Sequence, residues 1–429
     1  MHINAHLDVD LVAIESTDSV TLMLELEAPA ADDSSKDRPE HTAVVVLDRS
    51  GSMNGLPLES AKRALISLVD RLDDRDRFGL VTFDDAAQVV IPAGKVGDLG
   101  RDRLRHDIDS VVAGGTTDLS SGYLRGLQEV NRVATETGAT VLLLSDGYAN
   151  AGVIDPVQLR GLAKRAAEHR VTTSTIGIGL GYDEAILTEL AAGGNGNHSF
   201  GHGPDDAAAA VAAELDGLLS KTVQAASLLI KPTSDVSGIM VLNDLSTIAV
   251  EHGVLAELGD FYSGESRRIL VTIDVPEMAA LGLQQVATLT LTYVELATLE
   301  QHTVTLPVSV NVVPQDVAKG RVAKPEVARE KLFLETQSAK RDIEVALRDG
   351  DVEAARERLS AARRILSAED ASIVDDQLLG EIEWLGDTEL MVGSESPDYL
   401  SRRLSSDRSR KSRGYKSRTQ GGEVISDAE

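Results

Sequence analysis

The sequence predicts an α/β protein: a doubly wound, mostly parallel sheet inserted in an antiparallel β-sandwich, followed by a C-terminal helical hairpin and a disordered tail. Three observations lead to that architecture. Across residues 41–220, apolar strand runs alternate with helical stretches, the pattern of a parallel sheet covered by helices on both faces. Across residues 221–315 the texture changes to short strand runs separated by turns, as in a sandwich. Two further strand-like segments precede the alternating region and have no sheet of their own.

Residues 1–40 open with His2 to Leu11 and Ser19 to Ala28, which alternate at period two, as in Val20, Leu22, Leu24 and Leu26. Pro29 to Glu40 is a polar linker in which Asp32, Asp33, Ser34 and Ser35 lie between two prolines. An isolated hairpin is marginal in water, so the first strands are expected to join the later sandwich, which makes the α/β region an insertion. Within that region the expected strands include Phe78 to Phe83 and Ala139 to Leu144. The expected helices are Leu58 to Leu72, Ser120 to Glu136, Val157 to His169 and Asp205 to Ser220. The sandwich strands are expected at Ser227 to Lys231, Gly238 to Val241, Ser246 to Glu251, Ser266 to Ile273, Ala287 to Glu295 and His302 to Val312.

Residues 316–372 hold an αα-hairpin, helical from Glu326 to about Ser367 and broken at Asp349-Gly350-Asp351. Val352, Ala355, Leu359, Ala362 and Leu366 form an apolar stripe on its second arm, expected to pack on the first, with partner recognition as the alternative. In residues 373–429, Asp375 to Val392 is acidic and weakly periodic, a helix or an extension that includes the only tryptophan, Trp384. From Ser401 to Arg418, the block Arg402, Arg403, Arg408, Arg410, Lys411, Arg413, Lys416 and Arg418 faces one acid, Asp407, among many serines. Low hydrophobicity and like charge predict disorder. The alternatives are docking onto an acidic surface, including this protein's own, or a segment switched by phosphorylation.

The chain has 429 residues, 42% of them hydrophobic, enough for two or three domains with real cores. A formal charge of −27 argues against general nucleic-acid binding by the main body and for protein or cation partners. Without cysteine there is no disulfide, thiolate metal site or cysteine nucleophile. Met1 to Asp10 lacks a basic stretch followed by an apolar core, and nowhere do about 18 apolar residues run together. A cytoplasmic protein with no membrane span is therefore expected.

The chemistry concentrates at Thr42 to Ser52. An apolar strand stops at Asp48 and delivers Ser50 and Ser52 at alternate positions, one carboxylate and two hydroxyls on a rigid support. Hard oxygen ligands of this kind suit Mg2+, with Mn2+ or Ca2+ as alternatives. The same residues could instead form an N-cap turn into a helix, with Pro57 in its first turn. A second apolar strand, Val141 to Leu144, ends in Ser145-Asp146-Gly147. In a doubly wound sheet, ligands gather beyond the carboxyl ends of the strands, so Asp48 and Asp146 are expected to meet.

This arrangement resembles the von Willebrand factor A (VWA) domain and its metal-ion-dependent adhesion site (MIDAS), in a bacterial multi-domain type of protein. Besides Asp48-x-Ser50-x-Ser52, the resemblance rests on Gly114-Gly115-Thr116-Thr117-Asp118, on the strand ending at Asp146, on Thr175-Ile176-Gly177-Ile178-Gly179 and on the glycine-rich Ala191 to Phe200. It implies a Rossmann-like sheet and a metal held by Asp48, Ser50, Ser52, Thr116 and Asp146. Some contacts, above all that of Asp146, would run through water. Thr116 is preferred because it directly follows the glycine pair, as in the family, and Thr117 is its rival. The insertion into a β-domain is similar to integrin β subunits and some bacterial VWA proteins.

The expected function is Mg2+-dependent binding of a protein ligand with an exposed Asp or Glu, without catalysis. The sequence has no Gly-x-x-x-x-Gly-Lys-Ser/Thr loop, Gly-x-Ser-x-Gly elbow or His-Glu-x-x-His pair. His198 and His202 could pair on a metal only if helical, and their Gly and Asn neighbours argue for a loop. One alternative is an accessory subunit working with an AAA+ ATPase in a chelatase or cofactor-insertion machine. Another makes the metal purely structural and leaves recognition to the β-domain and hairpin.

Overall fold

The computed structural model describes residues 1–31, 39–133, 137–179, 181–201, 204–233, 236, 238–370, 372–413, 415–417, 419–420 and 423–424. Strands β1 (His2–Leu7), β2 (Leu11–Ala13) and β3 (Asp18–Glu27) come first. The chain then enters the α/β region through β4 (Thr42–Asp48), α1 (Leu56–Arg71), β5 (Arg77–Phe83), β6 (Ala87–Lys95), α2 (Val96–Leu99), α3 (Arg101–Asp109) and α4 (Leu119–Val133). It continues through β7 (Ala139–Ser145), α5 (Pro156–Glu168), β8 (Val171–Ile178), α6 (Glu184–Gly193), β9 (Asn195–Gly201) and α7 (Pro204–Leu219). The sheet order is β6-β5-β4-β7-β8-β9, with only β6 antiparallel to its neighbour.

Strand β4 is central, and all seven of its residues are buried because helices cover both faces. Val45 and Leu47 pack with Leu58, Leu65 and Leu68 of α1 on one face. Val44 and Val46 pack with Leu119, Tyr123 and Val130 of α4 on the other. Helix α4 lies so close to β4 that a Cβ on Gly126 would sit 2.4 Å from Val46 Cγ2. Gly126→Ala is therefore expected to destabilise by about 1–3 kcal/mol through overpacking, outweighing a helix-propensity gain of ~1 kcal/mol. A fall in the urea midpoint checks this, and an unchanged or raised midpoint contradicts it.

The sandwich follows as β10 (Lys221–Pro232), β11 (Gly238–Val241), β12 (Ser246–Val250), β13 (Gly253–Tyr262), β14 (Ser266–Val275), β15 (Gly282–Glu295) and β16 (Glu300–Val313). One sheet has the order β1-β3-β14-β11, and the other β12-β13-β10-β15-β16-β2. Strand β3 pairs with β14 from Ser266↔Glu27 to Val275↔Asp18, so chain from either side of the α/β region is laced into one sheet. Val20, Leu22, Leu24 and Leu26 face Leu228, Ile230, Leu289 and Leu291 of the second sheet, as their period of two dictates. At the junction, Asp260 accepts from Thr172 Oγ1 at 2.7 Å and pairs with Lys221 Nζ at 2.6 Å. Burial alone would raise the Asp260 carboxyl, but the Lys221 ammonium and these hydrogen bonds hold it below its ordinary value.

After α8 (Gln315–Ala318) come four helices, α9 (Pro325–Arg348), α10 (Val352–Ser367), α11 (Asp376–Met391) and α12 (Pro397–Lys411), and then a short strand, β17 (Tyr415–Ser417), that pairs with β14. The hairpin turns at Gly350, φ +75°, and Asp351 caps α10 by accepting from Ala354 N. The stripe Ala355, Leu359, Ala362 and Leu366 lies in a core shared with Phe333 and Leu347 of α9, and with Met23 and Leu270 on the outer face of the first sandwich sheet.

The basic segment departs from expectation, because residues 401–411 are helical. Leu400 and Leu404 of α12 are buried, and its cations meet acids from elsewhere in the chain. Lys411 pairs with Glu381 at 2.5 Å, and Arg408 pairs with Asp244 at 2.9 Å. A like-charge block becomes ordered here because it docks onto this protein's own carboxylates. The Arg410 and Lys416 side chains and Arg418 lie outside the described residues.

Candidate metal centre

Strands β4 and β7 are neighbours and run in parallel, so the turns after them emerge side by side at the carboxyl end of the sheet. Asp48 is 0% exposed. Its Oδ1 accepts from Ser50 N at 2.8 Å and its Oδ2 from Ser145 Oγ at 2.6 Å. Ser50 Oγ lies 3.1 Å from Ser52 Oγ, and Ser52 Oγ donates to Asp146 Oδ1 at 2.7 Å. Four of the five expected ligands thus form one continuous polar chain.

Thr116 does not join them. It is exposed, and its N–H donates to Asp85 Oδ1 at 2.8 Å while its hydroxyl donates to the same oxygen. Thr117 is 4% exposed and faces the cluster. A Cβ built on Gly147 would lie 2.9 Å from Thr117 Oγ1 and 3.6 Å from Asp48 Oδ2. The backbone dictates this choice. Gly114 N donates to Arg49 O, Gly51 N to Gly115 O, and Asp118 N to Asp84 O, fixing the loop against the first turn. Gly115 has φ +71°, and a Cβ there would be 2.8 Å from Asp84 Cβ, so only glycine fits.

Sequence reasoning also missed Ser145, whose hydroxyl steadies Asp48, and Asp85, which holds Thr116 away. Nothing in a Leu-Ser-Asp-Gly run marks its serine as a partner of a carboxylate in another strand. The rejected histidine pair has a plain structural account for one member. His198 on β9 is buried, with Nδ1 3.0 Å from Thr175 Oγ1 and Nε2 3.4 Å from Tyr182 Oη, and burial pushes its pKa down to about 3. His202 lies outside the described residues.

The electrostatics favour a cation at the cluster. Burial raises the Asp48 carboxyl despite its hydrogen bonds from Ser145 and Ser50. Burial, with the Asp48 charge nearby, raises Asp146 to about 6. The adjacent Arg49 is engaged by Asp84 at 2.6 Å. Two desolvated carboxylates with neutral hydroxyls around them are a hard, electron-rich donor set, which fits a small divalent ion. Among the described residues no three His, Cys, Asp or Glu side chains converge, so a soft or imidazole-rich site has no support there.

Residues 43–208 match the family model described as von Willebrand factor type A domain. The chain contains a VWA domain. Its expected fold class accords with the structure of a von Willebrand factor type A protein from Catenulispora acidiphila. That protein is 18% identical, with a TM-score of 0.76 over 95% of this chain and 96% of its own. At that identity the likeness concerns the fold alone. An uncharacterized protein of Synechocystis is 29% identical over 265 residues, covering 58% of this chain and 61% of its own length. An uncharacterized Escherichia coli protein is 31% identical over 183 residues, covering 42% of this chain and 31% of its own. This chain therefore spans less than two thirds of either relative. Among the described residues, no helix is long and apolar enough to cross a membrane.

Proposed function

We propose that this protein captures a protein partner through a divalent cation, Mg2+ in the first instance, held at the VWA site by Asp48, Ser50, Ser52, Thr117 and Asp146. The observation that carries the reading is the continuous chain from Asp48 through Ser50 and Ser52 to Asp146, with the Thr117 hydroxyl beside it. When bound, the ion supplies positive charge and a coordination position that favours an oxygen anion. Five protein oxygens leave one position of a six-coordinate ion open, and an Asp or Glu of the partner suits that position. The surrounding surface supports a protein as that partner. Leu56, Val112, Tyr148, Ile154 and Val157 are exposed and arise from segments that flank the carboxyl ends of the strands. In this reading both carboxylates of the cluster are committed to the ion, which favours binding over catalysis.

Affinity capture from native lysate, with Mg2+ or with chelator and with wild type beside Asp48→Ala, tests this function. A protein retained by wild type only with Mg2+ supports it, and identical proteins in every lane contradict it.

Two narrower results are expected. Thr117→Ala lowers Mg2+ affinity by roughly 10–100-fold, whereas Thr116→Ala changes it by less than about threefold. Calorimetric titration of both separates them, and the reverse ranking contradicts the ligand set. The second concerns pH. The metal-free fold keeps the Asp146 proton up to about 6, whereas the unfolded chain releases it near its ordinary value of 3.8. The folded state binds more protons in that window, so its stability from this group falls as pH rises through it, and a bound cation offsets the loss. The gain in thermal midpoint from Mg2+ is expected to be larger at about pH 7.5 than at about pH 5. An equal or smaller gain contradicts this.

A further inference from the structure

Helix α12 reaches the metal loop from the far end of the chain. Arg402, 4% exposed, sends Nη2 to Tyr148 Oη at 3.1 Å and to the Tyr182 carbonyl oxygen at 3.1 Å. Its guanidinium also lies 5.0 Å from the Tyr182 ring centroid. Both partners flank Asp146. Tyr148 is two residues beyond it on the same turn. Gly181, next to Tyr182, backs onto it so closely that a Cβ there would lie 2.7 Å from the Asp146 carbonyl oxygen. One buried guanidinium therefore fastens the two segments that enclose the Asp146 turn.

The rest of α12 is anchored on both sides of this contact. Tyr399 meets Phe200 of β9 edge-on with centroids 6.3 Å apart, and Arg408 reaches Glu344 of α9 at 3.4 Å and Asp244 at 2.9 Å. The helix also packs against the chain's single tryptophan. The Arg403 guanidinium is 5.2 Å and Lys411 Nζ 5.8 Å from the Trp384 ring centroid.

From this geometry we propose that Arg402 is a positioning residue for the VWA metal loop, so that docking of α12 and occupancy of the metal site favour one another. The proposal rests on the metal reading above. If α12 is bound in one arrangement of the Asp146 turn and looser in another, a cation that prefers the first must also tighten α12, because linkage between two sites is reciprocal. The C-terminal bundle would thereby sense whether the adhesion face is loaded. Tyr148 is half exposed on that face while its hydroxyl is held by the bundle, which gives a partner a direct handle on the same contact.

The test is a titration of the full chain with Mg2+ alone, read by calorimetry and by Trp384 emission, with the thermal midpoint in chelator measured alongside. Wild type should bind Mg2+ and show a Trp384 response that saturates with it. Arg402→Ala should weaken Mg2+ binding by ~3–10-fold and abolish that response. Tyr148→Phe removes only the one hydroxyl that accepts from Arg402 and keeps the fold testable, and it should shift both readouts in the same direction by a smaller factor. If both variants bind Mg2+ as wild type does and keep the Trp384 response, whatever their midpoint in chelator, Arg402 is structural only and the proposal is overturned. If wild type binds no divalent ion and matches Asp48→Ala, the metal reading itself falls, and the proposal with it.

Discussion

Asp48→Ala is expected to remove Mg2+ binding by more than the ~10–100-fold that loss of an outer-shell partner costs, while the VWA fold persists. The side chain is fully buried, and desolvation already opposes its charge in the metal-free protein. Removing it relieves that opposition. It also removes the acceptor of Ser50 N and Ser145 Oγ, which now bond to it at 2.8 and 2.6 Å, and leaves Ser145 only a long contact to the Gly147 carbonyl oxygen at 3.4 Å. An unpaired buried donor costs about 1–3 kcal/mol, which the seven-residue β4, buried throughout, is placed to absorb. Asp48→Asn keeps an acceptor toward one donor and lacks the charge. It should bind Mg2+ as poorly as alanine and unfold closer to wild type. Calorimetry with a circular-dichroism melt reads both quantities, and an Asp48→Asn protein with wild-type Mg2+ affinity would sink the site.

The largest stability effect is expected far from the metal, at Lys340. This ammonium is 0% exposed and sits 2.5 Å from both Glu381 Oε2 and Asp407 Oδ2, with its Nζ 4.1 Å from the Trp384 ring centroid. Burial by itself would raise both carboxyls. Lys340 and Lys411 outweigh that and hold Glu381 and Asp407 below their ordinary values. Lys340→Met leaves two buried carboxylates sharing Lys411 alone, and breaking a buried pair of this kind costs about 3–5 kcal/mol.

The pH dependence has a definite sign. A depressed carboxyl stabilises the fold above its unfolded value, and that contribution disappears as pH falls through the folded value. The deficit of Lys340→Met is therefore expected to be greatest near neutrality and to shrink towards about pH 4, where the stranded carboxyls take up protons. Urea unfolding followed by Trp384 emission measures it. A pH-independent deficit would mean lost packing, without a charge imbalance.

What the sequence revealed and what it hid divide along physical lines. Asp48 and Asp146 were legible because each ends a continuous apolar run, and a parallel sheet brings the ends of such runs together. The insertion was legible because Val20, Leu22, Leu24 and Leu26 need an apolar face opposite them, and only the later strands provide one. The expected threonine ligand was ambiguous because Thr116 and Thr117 are adjacent and no periodicity operates in a loop. Backbone bonds to Arg49, Gly51 and Asp84, together with Asp85, decide which one turns inward. Strand β13 escaped notice because Gly259, at φ +73°, and Asp260 look like a turn, whereas Asp260 is paired internally by Lys221. Helix α12 was hidden because its order depends on Asp244, Glu344 and Glu381, which come from distant stretches of chain. A local charge count cannot register such partners.

A hard divalent cation at the carboxyl end of the sheet is the central claim, and it can be seen directly. Crystals grown with Mn2+ and measured at the manganese absorption edge should show one strong anomalous peak enclosed by Asp48, Ser50, Ser52, Thr117 and Asp146, and none in Asp48→Ala. A peak elsewhere, a peak that engages Thr116, or no peak at saturating Mn2+ would contradict it.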